Sequence, residues 1–412
     1  MIPLRRDPDF RRYWAARVVS LGGSLVTYLV LPVLVYRMTG DARWTALVTV
    51  SESLPYLCFG LISGALGDRL DRRRTMVVTD VLSALVLASI PVAHLVGVLT
   101  PVHVVLAGLG VHTLFVFFDG ANFGALPAVA GRDRLTTANS LVHGSSTVLE
   151  MAVPVTAGAA VAVMAPAPLL AVDVVSFLAS AYLVRAITKP LGPLGERAPG
   201  GRLRREIGEG LRFLIRHPVV RVQTIVAIIM NVSFGAFLGQ VVPFADTELE
   251  VPPDDARLGA VYAAWAVGGL VASTAYPWLS RTLGPVRVLL LALPCTAIAG
   301  LMVSRTSHWM FAVLAIALWG VPVTTCILNS ITTRALVTPD RLQGRVNTVG
   351  RMLGFGLGTP LGAMLGGFLS HGYGARVALY ASAAFQAAAA LTAWLSPLRR
   401  GRHDPLLLAV PE

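Results

Sequence analysis

Twelve times along 412 residues the chain runs for roughly twenty predominantly apolar residues before Gly, Pro or charge interrupts it. Each run is long enough to cross a hydrocarbon layer as a helix. Lipid offers no partner to a backbone amide, so such segments must close their own hydrogen bonds, which a helix does. Only 14% of the residues are charged, against 55% hydrophobic, whereas about a quarter of a soluble chain is charged. The expected fold class is an all-α polytopic membrane protein with twelve transmembrane helices. The spans lie near 13–36, 44–67, 75–98, 102–127, 140–164 and 168–188, then 219–243, 257–279, 287–304, 309–333, 347–370 and 375–397.

Arginine sets the orientation. Arg5, Arg6, Arg11, Arg12, Arg132, Arg134, the stretch from Lys189 to Arg216, Arg281, Arg341, Arg345, Arg399, Arg400 and Arg402 fall on the side of the chain ends. The opposite side holds Arg37, Arg43, Arg257, Arg305 and Arg376, and its longest loop, 244–256, is acidic. The positive-inside rule then places both termini in the cytoplasm of a cell-membrane protein. The net charge of +12 is accounted for by loops facing anionic lipid, and nucleic acid is not an expected partner. "MIPLRRDPDFRRYW" lacks the apolar core of a cleavable signal, so the first span is expected to remain as an anchor. Cys58, Cys295 and Cys326 all lie within apolar spans and read as small hydrophobes rather than a disulfide or metal set.

The two halves echo each other at an offset of about 210 residues, the signature of an internal repeat. "DPDFRRYW" at 7 answers "HPVVRVQT" at 217, and "ALPAVAGRDRLTTANS" at 125 answers "ALVTPDRLQGRVNT" at 335. The organisation expected is a six-helix bundle over 1–188, a cytoplasmic linker over 189–218, a second bundle over 219–397 and a cytoplasmic tail over 398–412. Within the linker, "REIGEGLRFLIR" has the pattern of a short amphipathic helix lying on the membrane surface.

Between the second and third spans stands "GALGDRLDRRRTMVV", where Asp68, Arg69, Asp71, Arg72, Arg73 and Arg74 crowd together. Gly64 would let the second span approach a neighbour, and the arginines are placed to pair with Asp68, Asp71 or lipid phosphate. This motif resembles the loop between spans two and three of the major facilitator superfamily. "DPDFRRYWAARVVSLGGSLVTYLVLPVLVYRMTG", "RDRLTTANS" and "LRFLIRHPVVR" carry a closer likeness to its macrolide efflux and enterobactin exporter branch. The resemblance covers the whole chain and implies two pseudo-symmetric six-helix bundles, the major facilitator fold. It also implies a gating role for Gly64, Asp68, Arg69, Asp71, Arg72 and Arg73, with Asp68 latching against the start of span eleven. The family's usual glycine is Asp71 here, and the arginine that its drug antiporters often carry in span four is replaced by Val116.

Charge inside a span costs about 2.5–3.5 kcal/mol near the bilayer centre, so each buried ion is a functional candidate. Five carboxylates lie in the spans of the first half (Glu52, Asp80, Asp119, Glu150 and Asp173) and none lies as deep in the second. Glu150, Asp119 and Glu52 are the candidates for proton coupling or substrate contact. Glu150 is foremost, sharing a helical face with Pro154 and Gly158 at mid-depth. Asp80 and Asp173, about a turn inside the interfaces, read as snorkelling or capping residues. Arg17 and Arg351 also lie about a turn in, and Arg351 is placed either to pair with Asp68 or to meet a ligand. His94 and His112 read as structural. Pro154, Gly158 and the four-residue stripe Gly354, Gly358, Gly362 and Gly366 read as helix-packing positions. Asn231, Gln240, Asn329 and Gln386, with Phe115, Phe117, Phe118, Tyr262, Trp265 and Trp319, are candidate linings of a mixed apolar cavity.

The only lysine, Lys189, precedes Pro190, so no phosphate-binding loop is present, and neither HExxH nor GxSxG occurs. No cofactor, metal site or enzymatic activity is expected. The reading is a monomeric secondary transporter in contact with membrane lipids, exporting a bulky amphiphilic drug or secondary metabolite by alternating access in exchange for protons. Uptake of a small metabolite is the alternative, and a non-transporting receptor or scaffold the rival from another class. Cysteines placed singly at Gly201 and Asp254 in a cysteine-free background should react with an impermeant reagent from opposite faces of the membrane. Equal labelling from outside excludes the twelve-span arrangement.

Overall fold

A computed structural model describes residues 4–192 and 203–399; the side chains at 65, 67–69 (with Asp68 and Arg69), 132, 203–207, 340–341 and 344–345 lie outside the described residues. Among the described residues all regular structure is helical, and twelve helices are long and apolar enough to span a membrane. They are α1 (Pro8–Thr39), α2 (Ala42–Arg69), α3 (Arg72–Leu95), α4 (Pro101–Ala130) and α5 (Leu135–Val163), then short α6 (Pro166–Leu169) running into α7 (Ala171–Arg185). The amphipathic linker helix is α8 (Leu203–Arg216), followed by α9 (Pro218–Leu238) and short α10 (Val241–Leu249). Next come α11 (Arg257–Leu283), α12 (Pro285–Arg305) and α13 (Trp309–Val337). One span is composite: α14 (Asp340–Arg351), a π-helical stretch over Met352–Gly358, and α15 (Thr359–Tyr373). Helix α16 (Ala375–Leu395) closes the set.

The helix starts follow their chemistry. Asp71 caps α3 by accepting the Arg74 amide at 2.8 Å, and Thr100 caps α4 ahead of Pro101. Ser and Thr hydroxyls within the spans mostly donate to carbonyls one turn back, as Thr113 does to Leu109 and Thr325 to Val321, which keeps them satisfied without water. The span expected to run from 219 to 243 instead breaks at Gly239–Gln240, where α10 begins.

Two compact units emerge. One comprises Met1–Thr39, Cys58–Gly201 and Asp254–Gly259; the other comprises Gly40–Leu57, Arg202–Pro253 and Ala260–Glu412. In the first, α1 packs on α4, α5 and α7, and α3 packs on α4 and α7. In the second, α9 packs on α13, α15 and α16, and α12 packs on α13 and α16. These are the same five pairings displaced by one repeat, so the echo read in the sequence is an echo in packing.

Close backbone approach holds both units. The Gly354–Gly366 stripe runs along α9. A side chain at Gly362 would strike the Val232 carbonyl oxygen, one at Gly358 would lie 2.8 Å from the Ile228 carbonyl, and one at Gly366 2.9 Å from that of Ala236. In the first unit, Gly158 of α5 meets Gly259 at the start of α11 so closely that an added Cβ would sit 2.5 Å from the Gly259 Cα. Gly64 departs from expectation: nothing lies within 4 Å of its missing side chain, and in this unit α2 comes close instead at Ser63, against Gly120 of α4.

A polar hub ties the ends of α1, α4 and α7 together. The Lys189 ammonium donates to Asp7 Oδ2 at 2.7 Å and to the Val129 carbonyl at 2.9 Å. Asp9 accepts from the Thr188 amide and hydroxyl and from the Lys189 amide. Burial opposes ionisation of Asp7, but the Lys189 ammonium and the amides of Phe10 and Asp9 outweigh it and hold the carboxyl below its usual range.

Two outcomes are expected. Gly362→Ala should lower thermal stability by about 1–3 kcal/mol, the ordinary cost of overpacking, while Gly64→Ala should not lower it; the reverse order in a melting series would remove the stripe's packing role. A depressed native pKa adds stability above the unfolded value of about 4, and that stability is lost as pH falls through the native value. Melting temperatures of the parent and Asp7→Asn should therefore differ at neutral pH and converge in acid below about pH 4; a gap independent of pH would contradict the charged hub.

Candidate functional site

The charged loop serves the first unit in an unanticipated way. Arg72 is buried and donates to the Gly192 carbonyl at 3.1 Å, with its guanidinium occupying the space left open by Gly124. Arg73 donates to the Lys189 carbonyl at 2.6 Å. These arginines thus dock the chain leaving α7 onto the start of α3, a contact in addition to the pairing with Asp68, Asp71 or lipid expected from the sequence. Asp71 spends its carboxylate on the cap of α3. The Asp68 and Arg69 side chains, and with them the latch geometry, lie outside the described residues.

The five carboxylates of the first half sort by environment. Asp173 is fully buried and satisfied at both oxygens, by Thr27 at 2.5 Å and Ser176 at 2.7 Å, in a space that Gly23 leaves open. Asp80, 2% exposed, lies against Ser180 and Arg17, and its Oδ2 has no hydrogen-bond partner. Neither reaches an interface, so the snorkelling expectation for this pair is corrected: α3 and α7 pack on each other and enclose both. Asp119 is half-buried beside Tyr13, whose hydroxyl donates to Asn122 at 2.7 Å while Arg17 lies over Phe118. Glu150 is exposed, whereas Pro154 and Gly158, one and two turns on, are buried against Gly259.

Glu52 differs from all of these. It is 4% exposed and its Oε1 has no hydrogen-bond partner; Tyr262 of α11, whose hydroxyl is also buried and unpartnered, lies near enough to feel its charge. Both residues belong to the second unit, and α2 passes from that unit to the first at Leu57–Cys58, five residues beyond Glu52. Close by in sequence, Tyr56 accepts a hydrogen bond from Arg351 at 2.8 Å, with the guanidinium 4.4 Å from its ring centre, and Gly356 lies against the Leu57 backbone.

The second unit also holds a cavity of about 550 Å³ between α9, α11, α12, α13 and the α14–π segment. Asn231, Trp265 and Phe355 line it, together with Arg334 and Arg351. Other expected lining residues are structural instead. Gln386 accepts from the Trp319 indole at 3.1 Å and donates to Ser233, which bonds Ser382, forming a buried polar chain across α9, α13 and α16. Gln240 and Asn329 are likewise fully buried away from the cavity. Arg334 escaped the sequence reading, because the span was expected to end at 333 and the helix continues to Val337. Among the described residues no group of three or more His, Cys, Asp or Glu is placed to hold a metal ion.

Comparison with known proteins bears on what this arrangement serves. The family model described as transmembrane secretion effector matches residues 1–407. The chain is 29% identical over 395 residues to the multidrug efflux pump Tap of Mycolicibacterium fortuitum, covering 91% of this chain and 92% of that protein. It is 24% identical over 208 residues to macrolide efflux protein A of Streptococcus pyogenes, about half of each chain. In fold it is similar to a bacterial homologue of the iron transporter ferroportin in an inward-facing state, with a TM-score of 0.75, 16% identity, and coverage of 95% and 98%.

Proposed function

The chain belongs to the transmembrane secretion effector family of the major facilitator superfamily, and we propose that it exports bulky amphiphilic compounds from the cell by alternating access, driven by inward proton movement. Efflux is supported by the names of its relatives, a multidrug and a macrolide pump. The arginine-rich ends and linker favour an orientation with both termini in the cytoplasm, and the proposed state is a monomer in the plasma membrane. Asp68 remains the proposed latch.

Proton coupling is assigned to Glu52. The observation that carries it is a carboxylate buried within a span with no hydrogen-bond partner on Oε1, in the electrostatic neighbourhood of an unpartnered tyrosine hydroxyl. An ionised carboxylate without a partner is costly inside a membrane, so enclosure of Glu52 would be accompanied by uptake of a proton. Opening of the helix contacts around α2 admits water, and the acid gives up its proton. Proton binding and closure then favour each other, which is the requirement for coupling. Glu150 and Asp119 lie in more accessible or better-partnered positions suited to ligand contact.

Glu52→Gln fixes the neutral form. In proteoliposomes it should retain ligand binding and energy-independent exchange, yet lose pH-gradient-driven efflux by about tenfold or more, within the usual range of coupling free energies. Tyr262→Phe should shift the pH at which efflux is half-maximal without abolishing it. Intact gradient-driven efflux in Glu52→Gln, with loss in Glu150→Gln or Asp119→Asn, moves the role to those residues.

A further inference from the structure

The cavity of the second unit carries a positive charge with no carboxylate among its described lining residues. Arg334 lines it from α13, donating through one terminal nitrogen to Ser330 at 2.8 Å, while its Nε is buried without any partner. No Asp or Glu stands among the described residues that line the cavity. A guanidinium partly withdrawn from water and lacking a carboxylate is costly to keep, and an anion arriving beside it offsets that cost. Its planar fork suits a carboxylate, sulfonate or phosphate, which it binds through paired hydrogen bonds. The space it occupies is reserved in the sequence: a side chain at Gly350 would collide with the Arg334 Nη1.

The rest of the wall is complementary to an apolar body. Phe234 and Trp265 form a tilted pair 5.3 Å apart, and Met230, Leu289 and Phe355 extend the surface. A volume of about 550 Å³ falls within the range that encloses a drug-sized molecule, for which pockets are typically ~300–1,000 Å³. Arg351 adds a second guanidinium at the same wall.

We infer that this cavity receives amphiphilic acids: the acidic group lies on Arg334 and the apolar body lies against Phe234 and Trp265. The inference rests on the exporter reading above and narrows it to a class of cargo, a solute with one acidic group at the end of a hydrophobic body. An anionic phospholipid shares the headgroup chemistry, and the experiment separates the two.

The full chain in phosphatidylcholine nanodiscs is titrated with 11-(dansylamino)undecanoic acid and with its methyl ester, which has the same body without the charge. The acid should bind about tenfold more tightly than the ester, the worth of a charge-assisted hydrogen bond. Arg334→Gln should bring that ratio to about one, Arg334→Lys should retain part of it, and Gly350→Ala should lower it with the charge intact. Should Arg334→Gln fail to fold, the Arg334→Lys and Gly350→Ala ratios decide. Equal binding of acid and ester by the parent, or a ratio unmoved by these substitutions, overturns the inference. So does displacement of the acid by dioleoylphosphatidylglycerol at equimolar concentration, which assigns the cavity to lipid. Export is read separately in proteoliposomes. An Arg334-dependent ratio with no export of any dye defeats the exporter reading and leaves the cavity assignment standing. Export with a ratio of one defeats the cavity assignment alone.

Discussion

In lipid, one apolar helix has little reason to prefer another over the surrounding acyl chains. Helices cohere there through close contact and a few interior hydrogen bonds, and this protein depends on both. The span-eleven glycines lay their backbone on the carbonyls of α9, and Gly158 meets Gly259 without an intervening side chain. The Trp319–Gln386–Ser233–Ser382 chain and the Asp173 contacts with Thr27 and Ser176 supply the polar share. Glu52 Oε1 and Arg334 Nε stand outside these contacts, as do Asp80 Oδ2 and the Tyr262 hydroxyl.

The two repeats share a packing plan but not a chemistry. The membrane-embedded carboxylates are confined to the first half of the sequence, and the second half answers with Arg334 and Arg351. The two copies of a pseudo-symmetric scaffold therefore differ in the charge they carry into the membrane.

Much of this was legible in the sequence. The twelve spans, the repeat and the amphipathic linker helix follow from hydropathy and spacing, because in a membrane those patterns leave the backbone one choice. The spacing of Gly354, Gly358, Gly362 and Gly366 likewise announced a packed face. Depth was the misleading guide. Asp80 and Asp173 lie near their span ends yet are sealed by neighbouring helices, and Glu150, at mid-depth, is exposed. Distance along one helix measures height in the bilayer, whereas burial is decided by helices that no local pattern identifies. Arg72 and Arg73 show the same limit, since each donates to a carbonyl more than a hundred residues away.

The π-helical stretch over Met352–Gly358 gives the span between Arg351 and Thr359 a freedom that an unbroken α-helix lacks. A π turn stores one residue beyond the α-helical count, and each residue of an α-helix advances about 100° around the axis. Releasing that residue would rotate Arg351 about the axis by roughly this angle relative to the glycine stripe. The stripe beyond Thr359 would stay seated on α9 while the guanidinium swung away from Tyr56 and the cavity wall. The helix thus contains a swivel between an anchored half and a half that carries charge.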